Sequence, residues 1–202
     1  YIFCLAAAAL SLGFTACEDI PAPYGINKDN ITTPDNPSEE GTIISEAFSK
    51  NLGSFTAIST VGNYPFAIDG SYGYVKVTSY DGTNNNAAES WLVSPHFSLK
   101  NVEKAHVTFD YVLRYATANE LKTNYLVRFS DNYSGDPATA TWKDVHFSPI
   151  QAADWNTWTT ADVDVPAEFI GKENLTVALY YKADAKSATW ELKNFKLAVG
   201  AA

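Results

Sequence analysis

Methionine is absent from all 202 residues, so the chain is expected to begin after its initiator. Cysteine is almost absent. Cys4 and Cys17 both precede the body of the chain, which excludes from that body a disulfide framework, a cysteine zinc site and a thiol nucleophile. Histidine occurs only as His96, His106 and His146, none in an H-E-x-x-H spacing, and no G-x-S-x-G elbow is present. Basic clusters are missing too: 14 Lys+Arg stand against 23 Asp+Glu, for a net charge of −9, which removes the attraction that draws proteins to nucleic acid. What is plentiful is aromatic side chain, with 12 Tyr, 11 Phe and 5 Trp in a chain that is 46% hydrophobic. That is ample for one packed domain and argues against general disorder.

The run Ile2–Ala16 carries no charge, and about 20 apolar residues are needed to cross a bilayer as a helix. It is too short to span. Its length and small-residue end have the shape of a secretory h-region with its cleavage site. Cys17 follows Phe14-Thr15-Ala16, which resembles the lipobox of bacterial lipoproteins, whose cysteine becomes the acylated first residue. Phe14 departs from the aliphatic residue usual there. Residues 1–16 are therefore expected to be a lipoprotein signal peptide, truncated at its start, and Cys17 the lipidated residue. Each buried CH₂ contributes about 0.8 kcal/mol, so two or more acyl chains give lasting attachment without a membrane span. Glu18 and Asp19 resemble the surface-export signal of Bacteroidetes lipoproteins.

Residues 17–41 read as an acylated cysteine and tether. They hold Pro21, Pro23, Pro34 and Pro37, with Glu18, Asp19, Asp29, Asp35, Glu39 and Glu40 against Lys28 alone. Proline stiffens such a segment and like charges extend it. The expected location is the outer membrane at the cell surface, held through the lipid anchor only.

From residue 42 to 202 the pattern changes to short runs of Val, Thr, Phe and Tyr between Gly, Asn, Asp and Pro, which is the signature of strands. Helical periodicity is nearly absent, and only Ile43–Lys50 suggests a helical turn. Strands are expected at 54–60, 72–79, 90–94, 105–113, 125–130, 141–147, 157–165, 175–181 and 189–199. In 105–113, Val107, Phe109, Tyr111 and Leu113 alternate with His106, Thr108 and Asp110, so one face points inward and one outward. Many strands without crossover helices predict an all-β antiparallel sandwich.

Several segments carry a resemblance in order: E-A-F-S-K-N-L-G-S-F (46–55), E-S-W-L-V-S-P (89–95), A-H-V-T-F-D-Y (105–111), S-D-N-Y-S-G-D-P-A-T-A-T-W (130–142) and A-T-W-E-L-K-N-F-K-L (188–197). Together they resemble the choice-of-anchor J and cleaved-adhesin domains, which implies a galactose-binding-like jelly-roll β-sandwich on a bacterial surface protein. The resemblance implies a fold and a location more than an activity. Related domains often place metal-coordinating oxygens at the positions of Glu46 and Asn194, which implies a structural calcium there. The Asp131–Asp136 loop has the acids of a calcium turn but lacks a closing Glu.

No catalytic set is expected. The acids Asp69, Asp81, Glu89, Asp110, Asp131, Asp136, Asp154 and Asp184 read as solvated turn residues, although a facing pair would be needed for glycoside hydrolysis. Aromatics offer a route to carbohydrate, since a sugar's apolar face stacks on an exposed indole or phenol. Trp91 and Trp190 fall within strands and read as core, while Trp142 and Trp158 read as rim. Trp155, between Asp154 and Asn156, and Tyr133, in D-N-Y-S-G-D, are the expected ligand-binding aromatics. The expected function is a non-catalytic domain that binds polysaccharide. The alternative is an adhesin or structural component that binds a surface protein.

Overall fold

The computed structural model describes residues 41–184 and 186–200. The expected signal peptide, the expected lipidation site Cys17 and the expected tether as far as residue 40 lie outside the described residues. Strands follow in the order β1 (Gly41–Glu46), β2 (Thr56–Val61), β3 (Ala67–Asp69), β4 (Tyr74–Val77), β5 (Ala88–Val93) and β6 (Ala105–Arg114). A four-residue helical turn, α1 (Glu120–Thr123), precedes β7 (Tyr125–Ser130), β8 (Lys143–Val145), β9 (Thr159–Asp164), β10 (Thr176–Ala183) and β11 (Thr189–Val199). Every strand pairing is antiparallel.

The strands divide into two sheets. A six-stranded sheet has the order β3-β4-β11-β6-β9, with β1 pairing the later part of β11, and a five-stranded sheet has the order β2-β5-β10-β7-β8. The chain passes between sheets at nearly every connection, as a jelly roll does. Between the sheets lies one core, centred on Trp190, which is fully buried. The rings of Phe66, Phe109, Tyr125 and Phe147 stand 5.8–6.2 Å from its own, mostly edge-on. Such contacts add about 0.5–1.5 kcal/mol each beyond the area they bury.

Two irregularities shape the functional face. In β11 the inward set is Trp190 and Leu192, then Phe195, Leu197 and Val199. The parity changes because the register slips between Lys193 and Lys196, where Asn194 adopts φ 54°. This bulge puts Lys193 and Asn194 both on the outside. In β1 the expected helical turn is replaced by a strand as far as Glu46. Its own slip between Thr42 and Ile44 breaks the alternation that would have marked it as one.

Candidate ligand-binding surface

The outer face of the six-stranded sheet carries the residues of β4, β11, β6 and β9 that alternate away from the core. Register aligns Tyr74 of β4 with Asp69 of β3, while Lys193 lies opposite Asp110 and Asp110 opposite Thr160. Strands sit about 4.8 Å apart, so β4 and β9 are separated by β11 and β6. Nevertheless the rings of Tyr74 and Trp158, the residue just before β9, are only 5.7 Å apart. They reach toward each other over the two strands between. That bridge explains a second fact: Glu191 and Val112, outward by alternation and opposite each other in register, are both buried, Glu191 to 4% exposure.

Tyr72 extends the row. Its ring is stacked against that of Tyr74 at 6.0 Å and 12°, and it is 75% exposed. On the other side Lys193 Nζ lies 3.9 Å from the centre of the Trp158 ring, and the segment that carries Trp158 also carries Trp155. Trp155 is 39% exposed and meets the exposed Tyr115 edge-on at 5.8 Å. Arg114 Cζ stands 4.9 Å from the Trp155 ring centre and 5.2 Å from that of Tyr115.

Burial tunes two groups beneath this row. It raises the Tyr74 hydroxyl well above the ordinary phenol range, helped by the neighbouring Glu191 carboxylate. It also raises the Glu191 carboxyl, against the opposing pull of the Tyr74 hydroxyl and Lys76. Glu191 Oε2 is buried without a hydrogen-bond partner among the described residues.

Tyr133 lies elsewhere. It is half-buried against Trp142 at 5.5 Å and near His96 at 6.3 Å, over the outer face of the five-stranded sheet. Trp155 and Tyr133 therefore have no partner in common. Trp190 is core as expected, whereas Trp91 belongs to a separate cluster with Val93, Leu126, Ala178 and Tyr180. Tyr74 falls within an expected strand and Trp158 at an expected rim, and no local pattern marks the two as partners, because the turn at Tyr72-Gly73 precedes β4 and Trp158 belongs to a distant segment.

The backbones of Glu46 and Asn194 adjoin at one corner, because Glu46 lies opposite Phe195 and Asn194 N donates to the Ala47 carbonyl at 3.3 Å, while their side chains have separate partners. Glu46 Oε1 accepts from Ser54 N at 3.0 Å and Ser54 Oγ at 2.9 Å. Gly53, at φ 58°, leaves room for this carboxylate in a cradle that a Cβ would fill, in collision with Glu46 Oε2. Asn194 Nδ2 donates to Asp110 Oδ2 at 2.8 Å. A carboxylate and an amide are donors of the kind calcium takes. Among the described residues no three acidic, histidine or cysteine side chains cluster as a metal site, so further ligands at this corner would be amides, carbonyls or water.

The remaining acids are occupied as turn acceptors. Asp81, Asp136 and Asp154 each accept from backbone N–H groups two or three residues on. Asp131 instead pairs with Lys172 at 2.7 Å. His96 Nδ1 is 3.0 Å from Thr176 Oγ1, and His146 Nε2 is 2.8 Å from the Leu121 carbonyl. These contacts hold loops and strand ends together.

Known structures share this architecture. The K1 cleaved adhesin domain of Lys-gingipain from Porphyromonas gingivalis W83 matches at 20% identity and a TM-score of 0.50, over 76% of this chain and 96% of that one. The fold is a jelly-roll β-sandwich. The K3 cleaved adhesin domain of the same protein matches at 15% identity and TM-score 0.47, over 78% and 98%. The CBM22-1 xylan-binding domain of Paenibacillus barcinonensis Xyn10C matches at 14% and 0.47, over 82% and 99%. At such identities the likeness is one of fold. No protein-family model and no curated protein sequence matches the chain.

Proposed function

We propose that this domain is a non-catalytic glycan-binding module of the choice-of-anchor J kind, displayed on a bacterial outer membrane through lipid at Cys17. The supporting observation is the row Tyr72–Tyr74–Trp158 on the open face of the six-stranded sheet, flanked by Lys76, Asp69, Asp110 and Thr160. Rings of this kind stack on the apolar faces of sugars while adjacent polar groups meet the hydroxyls. Trp155, with Tyr115, extends the same surface. Native affinity electrophoresis of the full chain through gels containing soluble polysaccharides tests the reading. Retardation that Trp158→Ala abolishes while the fold is retained supports it, and free migration through every gel removes it. The anchor has its own test, mass spectrometry of residue 17 in protein from the native host, where an unmodified thiol would refute acylation.

The adhesin alternative rests on β2. This edge strand of the five-stranded sheet, T-A-I-S-T-V, has no charged residue and among the described residues pairs only with β5, so its other edge is a template for an added strand. Pull-down of a surface protein that Ile58→Lys or Thr60→Pro blocks, with polysaccharide binding absent, would favour it.

A structural calcium at the corner where Glu46 and Asn194 adjoin is a separate proposal. It is supported by the Gly53 cradle around the Glu46 carboxylate and by the register that joins the first and last strands there. A bound ion would tie the strand ends together, so chelation should lower the melting midpoint. An unchanged midpoint would dispose of it.

A further inference from the structure

On this surface Trp158 and the Trp155–Tyr115 pair are each accompanied by a cation, and neither cation is spent on an ion pair. Lys193 Nζ lies over Trp158, and the Arg114 guanidinium lies against both Trp155 and Tyr115. Among the described residues neither takes part in an ion pair, as Lys50, Lys104, Lys122, Lys186 and Lys196 do not, whereas Lys76, Lys100, Arg128, Lys143, Lys172 and Lys182 do. The acids nearest these two cations on the same face are committed inside the protein. Asp69 pairs with Lys76 at 2.7 Å, and Asp110 accepts from Thr160 Oγ1 at 2.7 Å and Asn194 Nδ2 at 2.8 Å. Asp154, close enough to Arg114 to be stabilised by its charge, accepts from Asn156 N and from Thr157 N and Oγ1. Glu191 is buried. Asp162 and Asp164 lie toward the other end of β9, opposite Thr108 and His106.

On a chain whose net charge is −9, the part of this face around Trp158 and Trp155, where the nearest acids are satisfied and the two cations are not, is complementary to anions. Arg114 and Lys193 both point outward on adjacent strands. Arg114 pairs with Thr189, four positions from Lys193 along β11, and at about 3.3 Å per residue that places their backbones roughly 13 Å apart along the strands. An extended chain with repeated negative groups spans such a separation.

We propose that the glycan bound on this face is an anionic polysaccharide, its rings stacked on the Tyr72–Tyr74–Trp158 row and Trp155, its carboxylates or sulfates paired with Lys193 and Arg114. This rests on the glycan-binding reading above and narrows it. Guanidinium and ammonium both give charge-assisted hydrogen bonds to such groups, and the guanidinium can do so bidentately. Because the aromatic row, and not charge alone, supplies part of the contact, binding is expected to weaken with salt without vanishing.

The test is affinity electrophoresis and calorimetry of the full chain against polygalacturonate, dextran sulfate and neutral dextran and xylan, at low and raised salt. Arg114→Gln/Lys193→Gln and Trp158→Ala serve as variants, with circular dichroism and melting as fold controls. Expected is binding to polygalacturonate or dextran sulfate in preference to both neutral polymers, reduced about tenfold or more by the double glutamine variant, and reduced also by Trp158→Ala. The polymer retained identifies the anion as carboxylate or sulfate. Neutral polymers bound as tightly as the charged ones, with Trp158 required, would overturn the anionic proposal and leave the glycan reading standing. Binding to dextran sulfate that survives Trp158→Ala would be ion exchange and would also overturn it. No binding to any polymer removes both readings.

Discussion

The two outer faces of the sandwich are made from the same ingredients and have opposite fates. On the five-stranded sheet Trp91 and Tyr180 stand outward, with Arg128 Cζ 3.6 Å from the Tyr180 ring centre and 4.8 Å from that of Trp91. Residues 131–142 then fold back over them. Trp142 closes on Trp91 at 5.2 Å, Trp142 Nε1 donates to the Pro137 carbonyl at 2.9 Å, and Asn132 Oδ1 accepts from Thr141 N at 2.8 Å to hold the loop shut. The cation there is neutralised by Asp144 at 2.7 Å. On the six-stranded sheet Tyr74, Trp158 and Lys193 meet in a similar way, yet no loop covers them among the described residues. An aromatic–cation cluster is thus a second core where the chain roofs it and an open surface where the chain does not.

Truncating one indole on each face is the most forceful way to break that comparison. Trp91→Ala opens a cavity under the loop and is expected to cost about 3–5 kcal/mol in denaturant-induced unfolding. Trp158→Ala removes a half-buried ring that solvent can replace, and is expected to cost no more than about 1–2 kcal/mol while abolishing polysaccharide binding. Equal losses of stability would show that both faces are structural and that the open one has no ligand to lose.

Much of the fold was legible because most strands announce themselves by alternation. The expected spans 125–130 and 189–199 coincide with β7 and β11, and 105–113 falls one residue short of β6. The failures share a cause, which is loss of period. β1 slips by a residue, β3 is only Ala67–Asp69, and most of the expected 141–147 strand is spent on the loop, leaving Lys143–Val145. The site was half legible. Trp155 stands out locally because polar neighbours flank it. Tyr74 and Trp158 lie 84 positions apart in sequence, and their meeting depends on the strand order β4-β11-β6-β9, a non-local fact that no window of sequence contains. Tyr133 has the same polar flanks as Trp155. What separates the two is which loop folds back.

Glu191 sharpens the comparison from beneath. Its carboxyl is raised from 4.5 by burial under the Tyr74–Trp158 bridge, so the folded state holds the proton more tightly than the unfolded chain. Its contribution is fully present below pH 4.5 and is lost as pH rises through the folded value. At neutral pH an ionised Glu191 with an unpartnered oxygen is a burden. Glu191→Gln is therefore expected to stabilise the protein at pH 7 by on the order of 1 kcal/mol, with the gain fading as pH falls through the folded value and gone below pH 4.5. Trp158→Ala should shrink the same gain by letting water reach the carboxylate, which melting curves of the single and double variants across pH would measure. A gain independent of both pH and Trp158 would show that the bridge does not bury the acid.

The smallest effect belongs to the end of the sandwich, and it serves as the control for both faces. Asp81 sits in the turn between β4 and β5, where Oδ1 accepts from Thr83 N at 2.9 Å and Asn84 N at 2.7 Å, and Oδ2 accepts from Asn86 Nδ2 at 3.1 Å. These donors favour the charged form and bring its pKa down from 3.8 to about 2. The sign is opposite to that of Glu191: stability is present above pH 3.8 and is lost as pH falls toward 2. Asp81→Ala should lower the melting midpoint slightly at pH 7, the deficit closing in acid. The turn ties the two sheets through Asn86 N, which donates to Ser187 Oγ at 2.9 Å, and not through either outer surface. Polysaccharide binding should accordingly be unchanged in this variant. A loss of binding there would mean that the open face depends on how the sheets are joined at their ends, and the exposure of Tyr74 and Trp158 would no longer suffice to explain it.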